Sequence, residues 1–443
     1  MTDLGALALW VAALMAVWGA ALSFAGITLG RDDLAHSGRR GLVACAGFVA
    51  IATAALWWAF LADDFAVRQV AMFSSVALPS AFKLSASWTA RAGSLLLFAL
   101  AFAVLAAGAQ RANRDGNERL MPGVTATCAL VLVVALVILV TTWNPLERIE
   151  TVLEDGRGLD PRLQGVAAAA TVPLRLLGYA AAAVALAFAL VAAVQRRYDG
   201  ACRRALGWWT LIAWCFSSAS VLVALRAAYT NADYGTRWFW RATDGASLDG
   251  GAALFVAVAA ALGALIAGTL LNGGVRRIRG SARYALVAGS ACLAAGLAAS
   301  ALRSQQVLEI ADGATVHLAD PLRRDWSFTS QGASRIERPG QLVAAVALRA
   351  AQGKERPQFI TTEYREYFGQ DDRERFPPLA TTGTGASLLE DVAVTYVSGG
   401  EGTATLRVTF VPLVSWVWIG GVAIVIGAAL AIRPAASSSE EVA

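Results

Sequence analysis

Nine long apolar runs divide this chain: Gly5–Leu29, Gly41–Ala62, Ala92–Gly108, Pro122–Thr142, Pro173–Val194, Gly207–Tyr229, Gly251–Leu271, Arg283–Leu302 and Leu413–Ile432. Each approaches the ~20 residues with which an α-helix crosses a hydrocarbon core of about 30 Å. Between the eighth and ninth the period changes. Val343–Arg349, Gln358–Tyr364, Asp391–Val397 and Thr403–Phe410 are short, β-branched and partly alternating, and Pro377-Pro378 and Gly399-Gly400 punctuate them; that pattern predicts strands. About a hundred residues suffice for a small sandwich or barrel. The expected fold class is therefore an all-α polytopic membrane bundle of about nine transmembrane helices, with a small extracytoplasmic β-rich domain before the last helix. Its expected parts are a bundle over 1–302, with a tryptophan-rich outer loop near 230–250, a β-rich domain over 303–411, a final helix over 412–433 and a disordered tail over 434–443.

Charge orients this bundle. Hydrophobic residues make up 57% of the chain, and the formal net charge is +5. The first, third, fifth and seventh loops carry Arg31, Arg39 and Arg40; Arg111, Arg114 and Arg119; Arg196, Arg197, Arg203 and Arg204; and Arg276, Arg277 and Arg279. The fourth mixes Arg148, Arg157 and Arg162 with Glu147, Glu150, Glu154, Asp155 and Asp160. Arginine-rich short loops stay inside. The expectation is a multi-pass protein of the cytoplasmic membrane, with its N-terminus outside and its C-terminus inside. The first run has no basic start and no small-residue cleavage site after it, so it reads as a retained helix. The inner loops account for the positive charge, and no nucleic acid is implied.

Chemistry-bearing residues are few. Cys45, Cys128, Cys202, Cys215 and Cys292 all fall in spans or inner loops, without a Cys-x-x-Cys pair, so they read as small buried hydrophobes. The only histidines are His36, in the first inner loop, and His317, in the strand-like Thr-Val-His-Leu. No phosphate loop, zinc motif or nucleophile elbow occurs, and Glu154/Asp155 and Asp371/Asp372 read as solvated charges. The dense feature is Tyr234-Gly-Thr-Arg-Trp-Phe-Trp240, followed by Arg241. Two tryptophans and two arginines at a membrane surface can be an aromatic belt with snorkelling cations. They also suit a flat amphipathic ligand, with aromatic faces for its body and guanidinium groups for its acidic edge.

Four blocks, in order, resemble a family. Phe82-Lys-Leu-Ser-Ala-Ser-Trp-Thr-Ala-Arg-Ala-Gly-Ser-Leu-Leu-Leu97 is the first. Asn144-Pro-Leu-Glu-Arg148, with Asp155–Gln164 and Gly178-Tyr179, is the second. The tryptophan loop is the third, and Val411-Pro-Leu-Val-Ser-Trp-Val-Trp-Ile-Gly-Gly421 is the fourth. Together they resemble the CcmF-type cytochrome c haem lyases, haem-handling membrane proteins of cytochrome c biogenesis with a tryptophan-rich outer loop. The present chain looks like a shortened member. The resemblance implies haem delivery or attachment to apocytochrome c on the outer membrane face. It also implies other cytochrome c biogenesis membrane proteins as partners, a histidine-bearing paralogue among them, together with membrane lipids.

The departures concern the ligands. The family holds haem iron with paired histidines, one in a His-Pro-Pro between the Leu-Gln and Gly-Tyr marks; that place here is Thr171-Val172-Pro173. The partner's place falls near Ala259, and Tyr234, Arg241 and Asp244 replace other marks of the loop. The expected cofactor is thus haem held without tight axial ligation, on a shelf of Trp238, Phe239, Trp240, Arg237, Arg241 and Trp88. Arg175 and Arg226 are expected at the same depth. The alternative is a non-catalytic structural subunit or assembly factor that has lost haem binding.

Overall fold

The computed structural model describes residues 1–113, 117–160, 163–197, 199–230, 302–320, 323–338, 341–353, 356–367, 379–400 and 402–431, with scattered positions between 284 and 299. The chain forms two compact units, Met1–Ser220 with Phe255–Arg277, and Val221–Leu254 with Ile278–Ala443.

The first unit is helical: α1 (Thr2–Leu29), α2 (Asp32–Leu61), the short α3 (Arg68–Phe73) and α4 (Ser80–Ala86), α5 (Arg91–Ala112), α6 (Met121–Thr141), α7 (Val166–Val194) and the start of α8 (Gly200–Thr230). Among the described residues, six helices are long and apolar enough to cross a membrane: α1, α2, α5, α6, α7 and α8. The last of the nine expected runs forms a helix whose apolar stretch is shorter, Val414–Gly427. The run Gly251–Leu271 lies outside the described residues, and Arg283–Leu302 is described only in scattered positions. Lipid offers no hydrophobic drive for helix association, so close packing of small residues has to supply it. The chain meets that need: α1 buries Ala8, Ala12, Ala16, Gly19, Ser23 and Gly26 along one stripe. Phe60, Phe102 and Phe188 fill the core that α2, α5 and α7 share. Cys45, Cys128 and Cys202 are buried, Cys215 is half-buried, and all are free thiols.

The second unit carries the β structure. Its strands are β1 (Ser304–Ala311), β2 (Thr315–Ala319), β3 (Asp325–Arg338), β4 (Gln341–Gln352), β5 (Gln358–Tyr367), β6 (Leu379–Ala380), β7 (Thr382–Gly385), β8 (Glu390–Gly400) and β9 (Thr403–Pro412), before α9 (Val414–Ala431). One sheet runs β1-β9-β8-β7 and the other β2-β3-β4-β5-β6; among the described residues neighbouring strands pair antiparallel. Four strands match those expected from sequence, as β4, β5, β8 and β9. Both sheets turn side chains into one core of Leu308, Trp326, Phe328, Leu348, Ile360, Leu406 and Phe410. Trp326, Phe328 and Phe410 stack there with ring centroids 6.1–6.4 Å apart.

The joint into α9 is closely bonded. Leu413 takes a left-handed φ of 52°, and its N–H donates to Leu389 O at 2.9 Å. Trp416 Nε1 donates to Leu388 O at 2.8 Å, and Ser415 Oγ to Asp391 Oδ1 at 3.1 Å. Beside this joint Arg324 is held between two buried carboxylates, Asp320 Oδ2 at 2.6 Å and Glu390 Oε2 at 2.5 Å. One guanidinium cannot neutralise both. Burial first, and then the neighbouring Asp320, push Glu390 up to about 7. Burial also works against an ionised Asp320, but hydrogen bonds from Arg324 and Glu390 hold it below the usual carboxylate range. The two acids divide the work: Asp320 is the charged one, and Glu390 keeps its proton until the pH approaches neutrality.

Candidate functional site

The first two family-like blocks meet in a cap over one end of the helical unit. After α2, Asp63 adopts a left-handed φ of 52°, which aspartate tolerates better than most residues. Its carboxylate takes Lys83 Nζ at 2.6 Å, with the lysine side chain only 9% exposed. Removing one partner of such a pair costs roughly 3–5 kcal/mol, because the other charge stays buried alone. Sequence reasoning missed this anchor; the only signal was a lysine inside an otherwise apolar short segment. Gln69 Nε2 then donates to Ser87 O at 2.6 Å, and Ser94 Oγ to Trp88 O at 2.6 Å. Gly93 is required here, since a Cβ would collide with the Ser87 carbonyl.

The second block wraps this hub. Val67 and Arg148 form a β-bridge, and Arg68 N–H and Ile149 N–H donate to Glu147 O and Ala66 O at 2.8 and 2.9 Å. Farther along, Arg157 N–H and Gly158 N–H donate to Ala71 O and Ser74 O. Asp155 is exposed, as its reading as a solvated charge implies, yet Oδ1 also accepts from Val76 N at 2.9 Å and Gly156 N at 2.7 Å. Arg148 reaches Asp3 at 3.5 Å, which places the chain's start at this same end.

Trp88 joins the cap to α7. Pro173 lies inside α7 and has no N–H, so the carbonyl four residues earlier, Ala169 O, loses its helical donor. Trp88 Nε1 donates to that carbonyl at 3.2 Å. The indole thereby satisfies a group that would cost about 1–3 kcal/mol if left unpaired. Two residues on, Ser220 Oγ of α8 donates to Thr171 O at 2.9 Å, and Thr171 Oγ1 itself donates to Ala167 O at 2.8 Å. The family's first ligand position is thus filled by a hydroxyl occupied with its own helix. This place does not fit a tightly ligated haem iron.

Of the expected shelf, only Trp88 falls within the described residues; Trp238, Phe239, Trp240, Arg237 and Arg241 lie outside them, as does Ala259. Arg226 of α8 sits 5.8 Å from the ring centroid of Trp418 on α9, a cation–π contact between the end of one span and the final helix. His36 is exposed at the end remote from the cap, and His317 is exposed on β2. At that remote end the arginine-rich loops converge. One cleft is lined by Asp32, His36, Arg39, Gln110 and Glu118, and another by Glu118, Arg119, Arg197 and Asp199. Among the described residues the cap is a network of main-chain bonds around one buried ion pair.

No family model matches the chain. It is 35% identical over 247 residues to the cytochrome c-type biogenesis protein CcmF of Pseudomonas aeruginosa, covering 55% of this chain and 37% of that protein. CycK of Rhizobium meliloti is 31% identical over 245 residues (55% and 36%), and the probable cytochrome c-type biogenesis protein NrfE of Escherichia coli 32% over 226 residues (51% and 41%). The chain therefore spans little more than a third of the length of these curated relatives. Its fold matches that of a solved cytochrome c haem lyase CcmF, with a TM-score of 0.72 over 98% of each chain at 16% identity. Multi-pass helical architecture, the β-rich domain before the last helix and these likenesses lead to one conclusion: the chain resembles the CcmF/CycK/NrfE cytochrome c biogenesis proteins.

Proposed function

We propose that this protein assists haem delivery or attachment to apocytochrome c on the outer face of the cytoplasmic membrane, with haem as cargo rather than as a tightly bound cofactor. The carrying observation is the cap. The Phe82–Leu97 block, the Asn144–Gln164 block and the Thr171–Pro173 position are bonded into one platform, which Ser220 of α8 also joins. In this reading Trp238 and Trp240 offer ring faces to a porphyrin, and Arg237 or Arg241 meets its propionates. Other cytochrome c biogenesis membrane proteins supply what the chain lacks, axial histidines included.

A second reading rests on one observation, the engaged Thr171 hydroxyl at a ligand position. Under it the family scaffold survives as a structural subunit or assembly factor. Arg237→Glu separates the two. A charged hydrogen bond of about 1.5–3 kcal/mol corresponds to a tenfold or greater loss of haem capture. Covalent haem in the cell's c-type cytochromes and pull-down of membrane partners are measured on the same variant. Lost cytochromes with retained partners support haem handling; normal cytochromes with lost partners support the structural role.

A further inference from the structure

The two-sheet core is filled at one end and hollow at the other. Toward α9 the inward positions are large, with Trp326, Phe328, Ile360 and Phe410 among them. Toward the β8–β9 hairpin they are small: Ala333 on β3, Ala344 on β4, Gly399 on β8 and Ala404 on β9. The result is a cavity of about 480 Å³ lined by both sheets.

Two bulges shape its mouth. β3 gains one residue between Ser330 and Ala333, and β8 gains one between Tyr396 and Ser398. An extra residue reverses which side chains face inward. On β3 the inward set therefore changes from Trp326, Phe328 and Ser330 to Ala333 and Arg335. Arg335 pairs with Ala344, and Ala344 with Tyr364, so this row presents a cation, a gap and a ring to the cavity. Tyr396 faces Tyr364 from the other sheet, with centroids 5.6 Å apart. Gly399 keeps the wall open, since a Cβ there would lie 2.7 Å from the Tyr396 hydroxyl.

We propose that this open end is a peptide-binding pocket, taking one bulky apolar side chain of an extended polypeptide whose neighbouring carboxylate meets Arg335. Small inward residues leave the volume for the side chain, and the tyrosine rings flank it. A polypeptide rather than a free small molecule is indicated by the strand beside the mouth. β7 begins at Thr382, opposite Thr395 of β8, so beyond the Tyr396 N–H, which donates to Thr362 Oγ1 at 3.0 Å, Val397 and Ser398 extend past it. Such an edge can accept main-chain hydrogen bonds from an added strand. The mouth also lies roughly 25 Å along β9 from the entry into α9, at ~3.3 Å per residue, so it opens away from the membrane helix of its own unit. This inference is independent of the haem reading.

The test uses the full chain in detergent micelles and a fluorescein-labelled blocked hexapeptide, Thr-Ser-Trp-Asp-Thr-Ser, read by anisotropy. Saturable binding is expected, with at least a tenfold loss on replacing the peptide's tryptophan by alanine. Ala344→Phe, which fills the cavity, and Arg335→Glu, at the exposed rim, are each expected to weaken binding at least tenfold. No saturable binding would overturn the proposal, as would undiminished binding to both variants. Equal affinity for free indole-3-acetate would overturn it in favour of a small-molecule site. If Ala344→Phe does not fold, Arg335→Glu decides alone.

Discussion

Trp88 shows how one side chain can look functional in sequence and carry a structural duty in the fold. Its expected place at the outer interface marked it as part of an aromatic shelf, but its partner, the Ala169 carbonyl, lies 81 residues on. No local pattern reveals a bond of that separation. Pro173 was visible as the surviving proline of a ligand motif, without the consequence that it frees a carbonyl. Trp88→Phe keeps the ring and removes the donor, and is expected to destabilise the bundle by about 1–2 kcal/mol. Pro173→Ala returns a donor to Ala169, so in that background Trp88→Phe should cost less than half as much. Unfolding in detergent of the four proteins in this cycle measures the coupling. Equal costs in both backgrounds would remove the capping role.

At the scale of elements, spans were easier to read than strands. A helix in lipid needs only length and apolarity, and α1, α2, α5 and α6 lie where their runs predicted. β4, β5, β8 and β9 were legible because they alternate over several residues. β1 opens with Ser304-Gln-Gln and β3 with Asp325, and the bulge within β3 breaks its alternation, so a period of two is diluted there. The Asp320–Arg324–Glu390 cluster was illegible because its members are up to 70 residues apart and meet only through β2, β3 and β8. Glu390 titrates near 7 folded against a usual value of 4.5. The folded state thus holds a proton that the unfolded chain releases, and stability falls as pH rises from the usual value to the folded one, then levels. Between pH 5 and 7.5 the β-rich unit is expected to lose on the order of 2 kcal/mol, and Glu390→Gln should abolish that slope. A wild-type stability that rises over this window would contradict the assignment.

For the whole molecule, the arginine pattern and the structure agree on which loops share an end: Arg39, Arg119 and Arg197 line clefts remote from the cap. The positive-inside rule predicts that the cap faces outward. Impermeant thiol reagents on intact cells should label Val152→Cys on the cap and Ser398→Cys on β8, and should spare Arg203→Cys. These positions are exposed, whereas the native Cys202 is buried and would be silent on either side. The reverse labelling would place the cap inside and end any outer-face role. Four dispersed blocks made the resemblance legible, and the first two of them meet in the bonded cap, which needs its particular residues at long separations. Of the proposed haem shelf only the composition is legible, since Arg237, Trp238, Phe239, Trp240 and Arg241 lie outside the described residues.

The most direct test of haem handling is covalent haem in the c-type cytochromes of cells from which this chain is removed and then restored. Removal is expected to lower haem-stained cytochrome c at least tenfold while apocytochrome persists. Restoration with the native chain should recover it, and restoration with Trp238→Ala plus Trp240→Ala should not. Unchanged covalent haem after removal, or full recovery with the double variant, would contradict the account.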